Sequence, residues 1–491
     1  MREKEYLKQR YASIISAVGM ILLLSSAMML TPLLILISHP EEAIHAWAFV
    51  VPAASLFLLG IVLWKAFRSP LNITLTIQEG GITVLLSWIV VILFSAWPFI
   101  SALGLPYSRA LFESVSGWTT TGLSIVDVTS AGKMILIWRS IIQLAGGAGL
   151  AIIMMSAIVG PVGVGISSAE GRSDQLVPQV KQSARLVLII YAGYALAGTF
   201  AYWMAGMTFF DAVNHAFTAV STGGFSTRAE SIGYWNSTAI EAVTLPLMFL
   251  GNLSFVSAWL LWRGKLRMVI RNGEARLLAV LIPLSAAAVF LLTSRALYPQ
   301  LGKSIRVAVF ETMTAITTTG FSTVSYANWN SAGLFLLILL MLIGGGTCST
   351  AGGIKQYRVY LFWRTLRWDI QRAIMPRTAI LERSLLEGNR RVFLDDARIR
   401  QVLTFILMYL MTFLFGVLIL CACGYPLVDS LFEFASALGT VGLSVGVTNA
   451  GMPDAALWSE TIAMFLGRLE FIVVIVSVIK ISRDVRILKK S

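Results

Sequence analysis

Charge is scarce in this chain. Only 13 % of its 491 residues are Asp, Glu, Lys or Arg, whereas 57 % are hydrophobic, and the mean hydropathy is +0.78. Soluble domains carry about twice that share of charge, so a water-soluble protein is excluded and a polytopic membrane protein is indicated. Cysteine is rarer still. Cys348, Cys421 and Cys423 are the only three. All lie in apolar or glycine-rich sequence, so neither a disulfide framework nor a zinc site follows. Histidine also occurs three times, and no His-Glu-x-x-His pair is present. An intramembrane enzyme would need such a motif, or a nucleophile beside a base, and none is found. Acidic residues are outnumbered 25 to 38, which leaves a net charge of +13.

What is abundant is apolar sequence in long runs. About 20 apolar residues cross a bilayer. Spanning helices are expected at 12–38, 46–67, 80–103, 131–157, 184–205, 236–262, 276–297, 331–360, 397–423 and 456–482. The run Ile14–Ile37 follows the basic residues Arg2, Lys4, Lys8 and Arg10. It exceeds the apolar core of a cleaved signal, about 7–15 residues, and lacks an Ala-x-Ala site, so it reads as a retained first helix. The other basic residues cluster around Arg263–Arg276, between Lys355 and Arg400, and in the tail from Arg483. Basic stretches can bind nucleic acid. In a membrane protein they mark cytoplasmic loops, and that assignment places both termini in the cytoplasm with no nucleic-acid partner.

Four short segments repeat. They are FESVSGWTTTGLS from Phe112, NHAFTAVSTGGFS from Asn214, FETMTAITTTGFS from Phe310 and FEFASALGTVGLS from Phe432. Each is an apolar half-helix (Arg109–Trp118, Asp211–Val220, Ser304–Ile316, Leu427–Leu438) running into a hydroxyl-rich, glycine-centred turn. Such helices are too short to span. Irregular backbone at membrane depth survives only where protein buries it or water lines it, so the turns are expected to face one another or a shared aqueous path. Their glycines, Gly122, Gly224, Gly320 and Gly442, are 102, 96 and 122 residues apart. That spacing is a four-fold internal repeat. The expected fold is all-α and polytopic, with four pseudo-symmetric helix–pore-helix–filter–helix units around a central pore. Residues 1–79 supply two additional helices, and the units occupy 80–180, 181–270, 271–390 and 391–491. A further glycine follows each turn, 25 residues on at Gly147, Gly345 and Gly467 and 27 on at Gly251. Close helix packing is one role for them; a common position around the path below the turns is the other.

Rings of backbone carbonyls replace the hydration shell of potassium in selective filters. The candidate ligand triplets are Thr120-Thr121-Gly122, Thr222-Gly223-Gly224, Thr318-Thr319-Gly320 and Thr440-Val441-Gly442. Glycine permits the positive φ that aligns successive carbonyls. The half-helices aim their partially negative C-terminal ends at the turns, which favours a cation. Glu113, Glu311 and Glu433 are expected at the opposite, outer ends, complementing the positive N-termini. They could also gather cations at the mouth. Unit two carries Asn214 and His215 there, so any outer ring is incomplete, and His215 is expected to be packed or hydrogen-bonded.

Two interruptions lie further along. Gly344-Gly345-Gly346-Thr347-Cys348-Ser349-Thr350-Ala351-Gly352-Gly353 places five glycines in ten residues. Each costs a helix about 1 kcal/mol relative to Ala, so a broken helix is expected. The Gly-Lys-Ser/Thr of a phosphate loop is missing, and a loop that lines a cavity here is a candidate gate. Arg468, in Gly467-Arg468-Leu469-Glu470, sits inside the expected last helix. A mid-bilayer charge costs about 2.5–3.5 kcal/mol. Arg468 therefore either pairs with another helix, or stands at the constriction and holds the glycine-rich loop.

The four Thr/Gly turns, GGGTCSTAGGIK and GRLE together resemble the TrkH/TrkG group of the Trk/Ktr/HKT potassium transporter superfamily, over about 80–482. The two preceding helices suit the TrkH type. The resemblance implies potassium uptake through a gated, channel-like pore, with potassium bound at the filter triplets and 344–353 and Arg468 as the gate. Four filter glycines go with potassium over sodium in that superfamily. It also implies a homodimer in the bacterial inner membrane and a cytosolic TrkA-type nucleotide-binding ring. NAD or ATP is expected on that ring alone, with no cofactor in this chain. The basic segment 356–400 is a plausible contact for the ring. A less selective Na/K transporter and a proton-coupled symporter are the alternatives, and Glu470 is the nearest candidate carboxylate for coupling.

Overall fold

The computed structural model describes residues 2–67, 75–149, 180–376, 382–387 and 390–489. Within them, six helices are long and apolar enough to cross a membrane, or up to eight if each of two bent pairs is one span. Helices dominate because lipid offers the backbone no hydrogen bonds, so each segment must satisfy its own. The expected spans at 46–67, 184–205 and 397–423 appear as Trp47–Ala66, Val180–Met204 and Asp396–Ala422. That at 276–297 appears as Gly273–Leu297, with a π-helical turn at Phe290–Ser294. The first helix, Arg2–Met29, starts before its apolar run and passes into a 3-10 stretch, Thr31–Ile37, where Pro32 enters. It crosses Trp47–Ala66 at a glycine contact. A Cβ on Gly19 would lie 2.8 Å from Gly60 O, and one on Gly60 would lie 2.9 Å from Gly19 O.

Three expected spans are broken. The stretch 236–262 divides into Thr238–Asn252 and Phe255–Trp262, bent by 117°. There the Asn252 carboxamide accepts from Gly346 N–H at 3.0 Å. The stretch 331–360 divides into Ser331–Ile343 and Gln356–Ile374, separated by the glycine-rich loop. The stretch 456–482 is not one helix around Arg468. It is Asp454–Leu469 and Phe471–Lys489, bent by 96°, with Glu470 between them at φ +62°. The expected span 131–157 is a helix over Lys133–Ala148, and its remainder lies outside the described residues. After Gln356–Ile374 comes a small antiparallel hairpin, Ser384–Glu387 with Arg390–Phe393, that apolar periodicity did not reveal. Leu385 packs there with Leu361, Trp368 and Leu394.

The half-helices are Tyr107–Trp118, Phe209–Val220, Leu301–Ile316 and Leu427–Leu438. Behind each turn comes an inner helix: Lys133–Ala148, Thr238–Asn252, Ser331–Ile343 or Asp454–Leu469. Every inner helix packs against its own half-helix and the next one along the chain. The series closes on itself, because Asp454–Leu469 packs against Tyr107–Trp118. Glycines permit these approaches. A Cβ on Gly146, Gly251 or Gly467 would strike the carbonyl of Trp118, Val220 or Leu438, the last residue of the half-helix it follows. The glycine offset is thus a packing register in units two and four; in the first unit Gly146 rather than Gly147 fills it, and in the third Gly345 lies beyond its helix against Ala351 and Asn252.

Candidate functional site

All four half-helices end alike. In each, the N–H two residues beyond the last αR residue reaches back five positions. Thr121 N donates to Ser116 O, Gly223 N to Thr218 O, Thr319 N to Thr314 O and Val441 N to Ser436 O, at 2.8–3.0 Å. The preceding N–H groups, of Thr120, Thr222, Thr318 and Thr440, bond three positions back. This is the Schellman closure, in which the left-handed position normally belongs to Gly. Here it holds threonine, at φ 55°, 51°, 52° and 50°. A β-branched residue there is strained, by about 1–3 kcal/mol. Gly122, Gly224, Gly320 and Gly442 follow at φ 91°, 71°, 82° and 97°.

The turns form a ring. A Cβ on Gly122 would fall on Gly223 O, one on Gly224 on Thr319 O, one on Gly320 on Val441 O, and one on Gly442 on Thr121 O. Each glycine therefore meets the carbonyl of its neighbour's middle residue, and the fourth contact returns to the first. Glycine is needed twice over, for φ and for this approach. Leu123, Phe225, Phe321 and Leu443 are buried behind the ring. The Oγ1 atoms of Thr120 and Thr440 are buried without a hydrogen-bond partner. That leaves them free as oxygen ligands.

The chain leaving each turn is buckled to its own half-helix by the residue nine positions before the glycine. Ser124 Oγ donates to Glu113 at 2.9 Å, and Ser444 Oγ donates to Glu433 at 2.6 Å. Thr323 donates to Glu311 through its N–H at 2.9 Å and its hydroxyl at 2.7 Å. In unit two His215 Nε2 lies 2.9 Å from Ser226 Oγ. All four residues are fully buried. They neither complement the half-helix N-termini nor form an outer ring, as the sequence had led one to expect. They hold the exit strand, because a buried carboxylate needs several donors and the turn's free N–H and O–H groups supply them. Glu113 also pairs with Arg139 at 2.8 Å. The signal was present as a Glu or His nine before each glycine and a Ser two residues after it, the third unit using Thr323 one position further on.

Outside the ring is a cavity of about 690 Å³, floored by the four glycines. Asp127 lines it, and the Thr129 hydroxyl (2.6 Å) and N–H (2.9 Å) hold its carboxyl below the ordinary aspartate range. Among the described residues the inner side is closed. Only about 20 Å³ is open among Gly146, Gly352, Lys355, Gly467 and Arg468, room for about one water. The loop 344–353 fills the rest. Its Gly352 N–H donates to Thr318 Oγ1 at 2.9 Å. Thr350 Oγ1 donates to Gly251 O at 2.8 Å and accepts from Thr222 Oγ1 at 3.1 Å. Gly344 (φ +68°), Cys348 (+54°) and Gly353 (+80°) turn the chain through it. Gly345 N donates to Gly352 O at 3.0 Å, Gly346 N to the Asn252 side chain at 3.0 Å and Thr347 N to Glu274 at 3.1 Å. Ser349 Oγ donates to Gly346 O at 2.6 Å and accepts from Ala351 N at 3.2 Å. Arg468 donates to Thr350 O and, at 2.7 Å, to Gly146 O. It joins the loop to the end of the first inner helix. Glu470 takes the ion pairs, with Lys355 at 2.9 Å and Arg358 at 2.8 Å.

A family model described as TrkH, cation transport protein, matches residues 45–487. The chain is 31 % identical to the Trk system potassium uptake protein TrkG of Escherichia coli, over 93 % of this chain and 96 % of that protein. It is 31 % identical to the Trk system potassium uptake protein TrkH of the same organism, over 95 % of this chain and 98 % of that one. The crystal structure of the potassium transporter TrkH from Vibrio parahaemolyticus superposes with a TM-score of 0.82 at 28 % identity. That match covers 95 % of this chain and 98 % of the other.

Proposed function

Because the chain belongs to the TrkH family of cation transport proteins, we propose that it carries potassium across the bacterial inner membrane through a gated, channel-like pore. The ring of turns carries the proposal. Four strained, superimposable Schellman closures set the carbonyls of Thr121, Gly223, Thr319 and Val441 against the neighbouring glycines. Rigid backbone oxygens around one centre suit a dehydrated monovalent cation. The filter comprises Thr120–Gly122, Thr222–Gly224, Thr318–Gly320 and Thr440–Gly442. The gate is the loop 344–353 pinned by Arg468. Four pseudo-symmetric units follow two extra N-terminal helices, and ten crossings leave both termini in the cytoplasm. The protein is a homodimer. A TrkA-type ring that binds NAD or ATP docks on the basic face around 356–400, and this chain itself needs no cofactor. Proton coupling finds less support, since Glu470 is held between Lys355 and Arg358.

Rubidium uptake into proteoliposomes, with sodium and potassium as competitors, tests the proposal. Potassium should compete strongly and sodium weakly. Gly→Ser at Gly122, Gly224, Gly320 or Gly442 places a side chain on the neighbouring carbonyl and should reduce that discrimination. Four mutants with wild-type discrimination would sink the filter assignment.

A further inference from the structure

We infer that Gln143 is a positioning residue of the filter. It stands in for the side chain that turn two lacks and tunes the contribution of that turn to cation discrimination. The inference rests on the filter proposed above.

The middle residues of the triplets are Thr121, Thr319 and Val441 in three turns and Gly223 in the second. The space a side chain would take at Gly223 is already filled. A Cβ there would fall within the Gln143 carboxamide. Gln143 comes from the first inner helix and is fully buried. Its Nε2 donates to Gly223 O at 2.6 Å, and its Oε1 accepts from Phe225 N–H at 3.1 Å. Only this orientation of the amide satisfies both partners, one of which is an acceptor and the other a donor. The carboxamide therefore bridges the two peptides that flank Gly224.

Gly223 O is also the oxygen that abuts Gly122 in the ring. Gln143 thus fixes the seam between the first and second turns. A carbonyl that already accepts an N–H bond offers less electron density to a cation and moves less. Among the described residues, no side chain donates to the carbonyls of Thr121, Thr319 or Val441. The ring is chemically three plus one. Four residues earlier on the same helix face, Arg139 donates to Ser226 O at 3.1 Å and lies 3.9 Å over the Phe225 ring. Residues from one helix face thus clamp both the turn and its exit.

The test compares Gln143→Met, which keeps the bulk and removes both hydrogen bonds, with Gly223→Ala, which displaces the amide from the other side. The readout is the ratio of sodium to potassium inhibition of rubidium uptake in proteoliposomes, with the amount of inserted protein measured. Each variant should change that ratio about 2- to 10-fold, the range one buried hydrogen bond supports. The double variant Gln143→Ala/Gly223→Thr returns a side chain to position 223 and should recover most of the change. A purely structural role predicts lower flux for every cation at an unchanged ratio, and that result overturns the inference. Gly223→Ala carries the test if Gln143→Met does not insert. Gly224→Ser is the control. If it and the Gly→Ser variants at Gly122, Gly320 and Gly442 all leave the ratio unchanged, the filter assignment fails. If it alters the ratio while Gln143→Met and Gly223→Ala do not, only the role of Gln143 fails.

Discussion

Threonine in a left-handed backbone is strained, and this chain places it at four equivalent C′ positions where glycine would close the helix more easily. The hydroxyl is the only chemical gain. A Thr→Gly change at Thr120 or Thr440 should therefore stabilise the detergent-solubilised protein by about 1 kcal/mol. It should also weaken the thermal protection that added potassium gives. A thermal shift with and without potassium reads both, and a variant that loses stability would contradict the strain argument. Arg468 gives the second residue-scale prediction. Its guanidinium ties Thr350 O to Gly146 O across the closed inner side, so Arg468→Ala should raise uptake in the absence of the proposed regulatory ring. Flux equal to wild type would remove Arg468 from the proposed gate.

At the scale of elements, the half-helix and its buckle form one unit. Removing the buckle leaves a buried exit strand with unmet donors, at about 1–3 kcal/mol. His215→Ala should accordingly lower the melting temperature, whereas the same change at exposed Tyr107 should not. The latch below the loop behaves likewise. Glu470→Gln leaves Lys355 and Arg358 half-buried without their carboxylate, a loss of several kcal/mol, and should raise basal flux. Much of this was legible. Leu427–Leu438 begins and ends where its sequence indicates, and the other half-helices differ only by earlier starts at Tyr107, Phe209 and Leu301. The glycine-rich break was legible because glycine is intrinsically poor in helix. The bend at Glu470 was not, because neither neighbour is Gly or Pro and the positive φ accompanies ion pairs to residues more than a hundred positions away. Gln143 was hidden for the same reason. Its partners, Gly223 and Phe225, lie in another unit.

At the scale of the whole molecule, the N-terminal helices are tied to the helix that follows Arg468. Arg10 pairs with Glu79, and Tyr11 donates to Asp484 at 3.1 Å, which also pairs with Lys480 at 3.0 Å. Gly81 packs so closely on the last helix that a Cβ there would lie 2.7 Å from Ser477 Oγ. That helix, Phe471–Lys489, begins three residues after Arg468. A displacement of the chain ends can therefore reach Arg468 through this helix and the bend at Glu470. Asp484→Asn should leave the sodium-to-potassium ratio unchanged while altering the dependence of uptake on the proposed regulatory ring. Uptake in cells with and without the ring separates the two, and a changed ratio would place Asp484 in the wrong part of the molecule.

The loop also takes up part of the ring's own ligand set. Thr318 Oγ1 accepts from Gly352 and Thr222 Oγ1 donates to Thr350, whereas the hydroxyls of Thr120 and Thr440 have no partner. In the proposed pore, one of the four innermost threonine oxygens, that of Thr318, then already accepts a bond from the barrier itself, and that of Thr222 is tethered to it. An ion binding there and the loop resting there compete for the same atoms. Loading the pore from outside thus weakens the seat of its own barrier, so the permeant ion doubles as an opener, and the open fraction should rise with external potassium even with no change in the regulatory partner.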